Sequence, residues 1–596
     1  MRRVTCILLL VCALLAPAAT AAERRPRPLP RLDVTRLETA GTGVRVHVEV
    51  RQARGAVRSV RVRDGRRRIA LRAVRRRAER TVWHSTAIGG AAAERLRAAT
   101  AVTVELQVGR RTLVRRSALR RPPARSGSGA PAAQPGPGLT VTTDPVLVPA
   151  FGAGVTDHVV RCDAGTPVRL AVTAGPATPV AVGGGAPRSG TWDTTIPLAP
   201  GRRFTIAADG VTHHVRCLPA DFPEIAVERP GPPVSPNLLV TPARVGAGRS
   251  YAVVLDGAGT PVWWMDAPRG ALDLKALPDG DLAWSSFSGG SVGLDPAGAY
   301  EQRTLDGSLV RSLATVGVPT DHHDLQPLAD GSVLLVAYRQ RDAADLSPWA
   351  GPASATVLDP VVQEIRPDGS LAWEWDGRDD LALEESARFL ALSVIAAPLA
   401  DPGGGPDRYD TTHINSVEPD GDGVIVSMRH TDAVYRIDRA SGTVDWKLGG
   451  TPTPESLTLV DDPLAATRFG GQHDARRQPD GTLTVFDNGT ARGRAPQALR
   501  YAIDPAARTA RLVEAIDDPL APASPCCGSA RPLAGGGWVV AWGGTRRVTV
   551  VDRDATPVLA LTLPGPIGTY RAVPVPAGVL TADALRAGMD AIAARG

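Results

Sequence analysis

The stretch HINSVEPDGDGVIVSMR, from His413 to Arg429, reads as a strand, a tight turn and a returning strand. Pro419-Asp420-Gly421 supplies the turn, with Gly free to take positive φ. The returning VIVSM is β-branched and apolar. His413 stands eight residues before the turn Gly and Arg429 eight after it, so the hairpin brings an imidazole and a guanidinium side by side. The pattern recurs. HDLQPLADGSVLLVAYR places His323 eight before Gly331 and Arg339 eight after, and HDARRQPDGTLTVFDNG places His473 eight before Gly481 and Asn488 seven after. LDLKALPDGDLAWSS, GSARPLAGGGWVVAWGG and YRAVPVPAGVL are weaker copies, with Leu272, Gly528 and Tyr570 at the His position.

A second hairpin series interleaves with the first: YAVVLDGAGTPVWWM, YEQRTLDGSLVRSL, VVQEIRPDGSLAWEW, VYRIDRASGTVDWKL, LRYAIDPAARTARLVEAI and VTVVDRDATPVLALTL. Six four-stranded units predict an all-β chain whose 236–580 region is a six-bladed β-propeller. Period-two patterning excludes a helical solenoid. The hairpin at 251–265 precedes the first inner hairpin, and the one at 570–580 comes last without a partner. These two are expected to pair, closing the ring and protecting the sheet edges. The tail, 581–596, contains TADALRAGMDAIAAR and reads as a short surface helix.

Residues 1–22 have an Arg-containing start, the apolar run ILLLVCALLA and an A-T-A ending. That is a secretory signal peptide, too short and wrongly flanked for a membrane span, and no other run is long enough to cross a bilayer. The mature chain is expected to be secreted or extracytoplasmic. Residues 23–120 alternate like strands in VRVHVEV, VRSVRVR and VTVELQV, which suggests a small, Arg-rich β domain. Residues 23–125 hold 28 Arg against 8 acidic residues, whereas the chain from 126 on has a net charge of −15. A solvated surface explains this, or attachment to an anionic cell-surface polymer. Nucleic acid is not an expected partner, because no binding motif is present. A linker, 121–138, is rich in Pro, Gly, Ala and Ser.

Residues 139–222 read as a second, sandwich-like β domain bracketed by DHVVRC and THHVRC. Their equivalent Cys162 and Cys217 are expected to form a disulfide in an oxidising compartment. His158, His213 and His214 read as surface strand residues. Cys526 and Cys527 are adjacent, either a strained disulfide or two free thiols.

In a propeller the first strand of each blade lines the axis, so equivalent positions on successive blades ring one mouth. His323, His413 and His473 are expected to converge there, with Arg429. Three imidazoles suit Zn²⁺ with an open fourth position. They also suit nucleophilic catalysis on an anion, one His attacking and the others binding oxygens and moving protons. Arg429 favours the second chemistry, since a guanidinium suits sulfate or phosphate better than a cation. Asn415 and Asn488 stand behind the histidines, and Tyr570 shares their register. No Gly-rich phosphate loop is present to hold a nucleotide.

HHDLQPLADGSVLL, DTTHINSVEPDGDGVIVSMRHTDAVYRIDRASGTVDWKLGG and GQHDARRQPDGTLTVFDNG resemble the motifs of bacterial arylsulfate sulfotransferases. The similarity covers roughly 236–575. It implies a six-bladed propeller that moves sulfuryl groups from a phenolic sulfate ester to a phenol, with no cofactor and no nucleotide donor, through a sulfohistidine. By motif, His473 matches the nucleophile, and His413 and Arg429 match the H-x-N-S and S-x-R-H pieces. The last family His matches His323 rather than His322, because only His323 keeps the eight-residue register. His322, Asn415, Asn488, Tyr570 and Arg339 are expected near the substrate. In the implied ping-pong mechanism, His473 attacks sulfur, Arg429 and His413 stabilise charge, and His323 moves the proton. A metal-dependent hydrolase on the same histidines and a non-catalytic exported binding propeller are the alternatives. Residues 23–222 and the pair Cys526-Cys527 match nothing in the better-known family members.

Overall fold

The computed structural model describes strands within 31–118 and residues 139–595, apart from short segments at 153, 163–165, 233–235, 244–249, 287–292, 396–406, 566–567 and 577. The expected leader, 1–22, and linker, 121–138, lie outside the described residues. The strands before Pro131 fall in one compact unit and the residues from Ala132 on in another. In the first unit, seven strands between Arg31 and Ala118 form one antiparallel sheet. Val46, Val48, Val60, Val62, Val104 and Leu106 alternate with polar neighbours and are fully buried.

The second unit begins with two small sheets. Val168–Ala174 is the centre of a three-stranded sheet between Thr140–Asp144 and Gly190–Ile196. Ala181–Val182, Arg203–Ala208, Val211–Leu218 and Asp157–Arg161 form a four-stranded one. Both sheets feed one apolar cluster that includes Val141, Leu170, Val172, Ile206 and Val215. The DHVVRC and THHVRC pieces run parallel as neighbours, and Cys162 and Cys217 are disulfide-bonded with Cα atoms 5.6 Å apart. His158 and His213 are buried rather than on the surface. Their ring nitrogens meet at 3.2 Å under Phe151, because the strand face that carries them is turned inward.

Six further sheets follow in chain order. The second runs Leu272–Ala276, Leu282–Ser286, Ala299–Arg303, Leu309–Leu313. The third, fourth and fifth start on Thr320–Pro327, Ile414–Asp420 and His473–Arg477, each followed by its antiparallel neighbours. The sixth starts on Ser529–Pro532. First strands of successive sheets touch one another in order.

Closure differs from the expected pairing of 251–265 with 570–580. Only Val573–Pro574 of the last segment is a strand, and it pairs with Leu238–Val240, which in turn pairs with Ser250–Leu255. Pro574 and Pro576 lack N–H donors, so 570–580 cannot form its own ladder. A second junction was not foreseen: Ala226–Glu228 adds an outermost strand to the sixth sheet beside Pro557–Thr562. Each end of the repeat region thus completes the sheet built mainly from the other end.

The tail forms a helix, Ala582–Arg595. Asp590 takes Arg203 at 2.7 Å and Arg216 at 2.9 Å from the small sheets, while Met589 and Leu585 are buried against the first sheet. Among the described residues, no helix is long and apolar enough to cross a membrane.

Candidate active site

The hairpins carry the same irregularity near the start of the first strand. The register shifts between Leu272 and Lys275, Thr320 and Leu325, Ile414 and Ser416, and His473 and Arg476. Such bulges re-aim a side chain out of the ladder. Asp273, His413 and Asp474 take left-handed φ values of 50°, 52° and 57°. Non-Gly residues held there cost about 1–3 kcal/mol each and cluster at functional sites.

The bulged ends bring the histidines together. The His323 ring lies 4.8 Å from that of His413, 4.2 Å from His322 and 5.9 Å from Tyr570. His413 lies 4.8 Å from His430. His323 Nδ1 meets Asp321 Oδ1 at 2.5 Å, and His413 Nδ1 meets Asp410 Oδ2 at 2.5 Å. Each carboxylate also accepts the backbone N–H of its own histidine. Nδ1 is therefore the donor in both rings, and Nε2 is left for other partners.

His473 is held differently. Its Nδ1 lies 3.0 Å from Gly471 O and 2.8 Å from Asn488 Oδ1. A carbonyl only accepts, so Nδ1 carries the proton and Nε2 keeps its lone pair. Asn488 is oriented by its own amide, which donates to Ser524 Oγ and Cys527 O. The Cys527 N–H donates to His473 Nε2 at 3.2 Å. Burial, and then Arg429 and His413, hold the His473 pKa well below the ordinary imidazole value. The ring is therefore uncharged at neutral pH.

Arg429 does not lie in its strand, which ends at Met428; it opens a short 3₁₀ turn, Arg429–Thr431. Its Nη1 donates to His430 Nε2 at 2.6 Å and its Nη2 to Pro525 O at 3.0 Å. His430 Nδ1 donates to Asp410 O at 2.6 Å, so its Nε2 is an acceptor. Burial and the neighbouring His413 and Arg429 hold His430 well below its ordinary pKa.

His323 runs the other way. Burial alone lowers it, but the Asp321 charge and hydrogen bond outweigh this, and its pKa is raised. For His413, burial outweighs Asp410 and the pKa is lowered. His322 falls to about 3 through burial and the charge of His323. The cluster thus offers one histidine inclined to hold a proton among several held neutral, beside one guanidinium.

Of the expected residues, His322, His323, His413, His473, Arg429, Tyr570 and Asn488 fall in this cluster. Arg339 does not. Its strand runs on to Ala344, and its guanidinium pairs with Glu374 and Asp376 on an outer strand. Asn415 acts on the scaffold, donating to Gln472 O at 2.8 Å and so joining the fourth and fifth sheets. Asp321, Asp410 and His430 were not read from the sequence; Asp-x-His, Asp-x-x-His and the neighbour of Arg429 were the available signals. The hydroxyls of Tyr338 and Tyr570 are buried with no hydrogen-bond partner among the described residues, as expected where a substrate or water completes a site.

Beneath the histidines lies a buried ionic lattice. Asp324 accepts from Lys275 at 2.9 Å, Arg476 at 2.7 Å and Arg571 at 2.8 Å. Asp474 takes Arg476 at 3.0 Å and Arg531 at 2.7 Å, and Arg571 also pairs with Asp273. These charges come from several first strands and fix them to one another.

Two groups could hold a cation: Asp321 with His322 and His323, and Asp410 with His413 and His430, each with ligand atoms within 4.8 Å. A cleft of about 450 Å³ between Arg341, Glu385, Tyr435 and Pro454 has no His or Cys in its lining and shares no residue with these groups.

Among solved structures, the chain is similar to apo AztD from Citrobacter koseri at 10% identity and a TM-score of 0.28, over 57% of this chain and 98% of that one. It is similar to a nidogen/laminin complex chain at 11% and 0.30, over 56% and 97%. A protein of unknown function from Bacteroides thetaiotaomicron matches at 9% and 0.26, over 91% and 100%. Likenesses of this size carry no functional weight. No curated protein matches the chain. Residues 230–557, more than half of the sequence, match the family Arylsulfotransferase (ASST), and the chain belongs to that family.

Proposed function

We propose that the chain is an exported, six-bladed β-propeller enzyme that moves a sulfuryl group from an aryl sulfate to a phenol through a sulfohistidine. The observation that carries this reading is the fixed tautomer of His473, whose Nε2 lone pair is held by the Cys527 N–H and whose pKa is lowered by burial and the charge of Arg429. The six sheets whose first strands touch in order support the propeller.

His473 Nε2 gives up its hydrogen bond from the Cys527 N–H and attacks the ester sulfur; the N–S bond forms and the S–O(aryl) bond breaks. His323 gives its proton to the leaving phenolate. Arg429 stabilises charge on the sulfuryl oxygens, whereas His413, neutral with its proton on Nδ1 toward Asp410, has no N–H to offer them and orders the site around Arg429. An acceptor phenol then loses its proton to His323 and attacks sulfur, and the N–S bond breaks. Tyr570, Tyr338 and His322 wall the aryl group. The basic N-terminal region is proposed to hold the enzyme to an anionic surface polymer, which retention on a polyanion resin, lost on removal of residues 23–120, would test.

Enzyme given an aryl sulfate without acceptor is expected to release about one equivalent of phenol in a burst. A sulfuryl adduct should then be found on the His473 peptide under non-acidic handling. Continuous phenol release without an adduct overturns the covalent mechanism, and no release at all favours a binding protein. The two carboxylate–histidine groups support a second reading, a metal-dependent hydrolase. Loss of turnover in EDTA with recovery in Zn²⁺ would establish it.

A further inference from the structure

We infer that Cys526 and Cys527 form a dithiol–disulfide switch at the nucleophile, closed by small disulfides of the glutathione class and reopened by dithiols. Its effect on turnover rests on the sulfuryl-transfer reading above; its effect on the His473 imidazole does not.

The two sulfurs are 2.7 Å apart, the Cys527 thiol donating to the Cys526 sulfur. Both are free, Cys526 half-buried and Cys527 buried. The hydrogen bond from Cys527, and then the charge of Arg429, lower the Cys526 pKa. A partly open thiol in an electropositive setting is the kind that reacts.

The segment Ser524–Gly528 touches most of the site. Pro525 O takes Arg429 Nη2 at 3.0 Å, Cys527 O takes Asn488 Nδ2 at 2.9 Å, and Gly528 N–H donates to Tyr570 O at 3.0 Å. Cys527 N–H donates to His473 Nε2. The peptide joining the two cysteines therefore carries the group that meets the nucleophilic nitrogen. Its other end is packed: Cys526 O takes Gly544 N–H at 3.0 Å, and a Cβ on Gly543 would run into that oxygen.

Neighbouring residues have Cα atoms about 3.8 Å apart across a trans peptide, short of the roughly 4.4–6.8 Å that an ordinary disulfide spans. Closure must therefore distort this peptide, and the displacement falls on the His473 side. The resulting bond is strained and easily reduced. Cys162–Cys217, at 5.6 Å, has ordinary spacing. One chain thus carries a structural disulfide and a dithiol whose closure gives a labile one.

The step balances. Cys526 thiolate attacks a small disulfide, RS–SR; that bond breaks, a mixed disulfide forms and RS⁻ leaves to take up a proton. Cys527 loses its proton and attacks the Cys526 sulfur, forming the Cys526–Cys527 bond and releasing the second RSH. Two electrons pass from the protein thiols to the reagent.

The test uses full-length protein with labelled histidine, reduced or treated with oxidised glutathione. Three readings are taken: the mass of the Cys526–Cys527 peptide, the Hε1–Cε1 resonance of His473 (assigned by its loss in His473→Gln), and phenol release with acceptor. Oxidation should remove two hydrogens from the peptide without retained glutathione and should shift the His473 resonance. Transfer should fall about 10²-fold, the size expected for an ångström-scale misplacement, and dithiothreitol should reverse all three. Cys526→Ser, and independently Cys526→Ala, should transfer like reduced wild type and ignore oxidised glutathione. A closed disulfide with an unmoved His473 resonance overturns the proposal, as does arrest at the glutathione adduct, or inactivation of either variant. If reduced protein transfers nothing, the functional reading fails, and the resonance still decides the switch.

Discussion

Arg429 donates from Nη1 to the Nε2 of His430, its neighbour in sequence, at 2.6 Å. Since Asp410 O fixes the His430 tautomer, the imidazole is a rigid acceptor that aims the guanidinium. His430→Ala is expected to slow the phenol burst by about 10-fold, short of the 10²–10³ typical of losing a charge-stabilising group outright. Adding His430→Ala to Arg429→Ala should cost little more, since residues of one network do not add. Additive losses in burst kinetics would separate the two.

Asn488 accepts from His473 Nδ1 without a charge of its own, so the bond raises the His473 pKa less than burial, Arg429 and His413 lower it. Asn488→Asp places a carboxylate there, which raises the His473 pKa. At pH 6 the variant should lose more of its burst rate, relative to pH 8, than wild type does. A rate–pH profile whose acid limb does not move would rule out this role.

His322, His413, His430 and His473 all have pKa values below 6.5. Groups of this kind contribute stability that is complete above the unfolded pKa and is lost as pH falls toward the folded values. His323, raised by Asp321, acts in the opposite sense: its contribution is complete below 6.5 and fades as pH rises through its folded value. His158, His213 and His214 are lowered as well, while the raised carboxyls of Asp256, Asp380, Glu418 and Asp432 act with His323; the lowered histidines are the larger set, so the urea midpoint should be lower at pH 5 than at pH 7.5.

Asp324 accepts from Lys275, Arg476 and Arg571, and all four side chains are buried. Asp324→Leu leaves three cations without that partner. Removing one member of a buried ion group costs about 3–5 kcal/mol. Unfolding in urea should show a loss of that size, whereas Arg339→Met, at a half-exposed pair, should change it little.

The three catalytic candidates were legible because a hairpin converts spacing into position. His323, His413 and His473 stand at one distance from three turn glycines, and the turns formed where Gly, Asp and Pro put them. Arg339 had the same spacing as Arg429 and misled, because spacing does not reveal where a strand stops. One strand ends at Met428 and releases its Arg; the other runs on to Ala344 and keeps it. Asp321 and Asp410 were hidden for a related reason: their reach to the imidazoles depends on a bulge, which no alternation pattern records. The closing strands Ala226–Glu228 and Leu238–Val240 have three residues each, too few for a period.

Leu239 pairs with Val573, across nearly the whole repeat region. Closing a loop of that length costs on the order of 5 kcal/mol of chain entropy, and none of it can be recovered before residue 574 is available. A chain emerging from its N-terminal end therefore carries a first sheet with one open edge, where Leu238–Val240 offers bare backbone to any passing strand, until residue 574 has appeared. The two-ended seam makes completion of the first sheet wait for the segment around residue 573. A truncation that removes Val573–Pro574 should therefore send the chain toward aggregation and away from a smaller stable product.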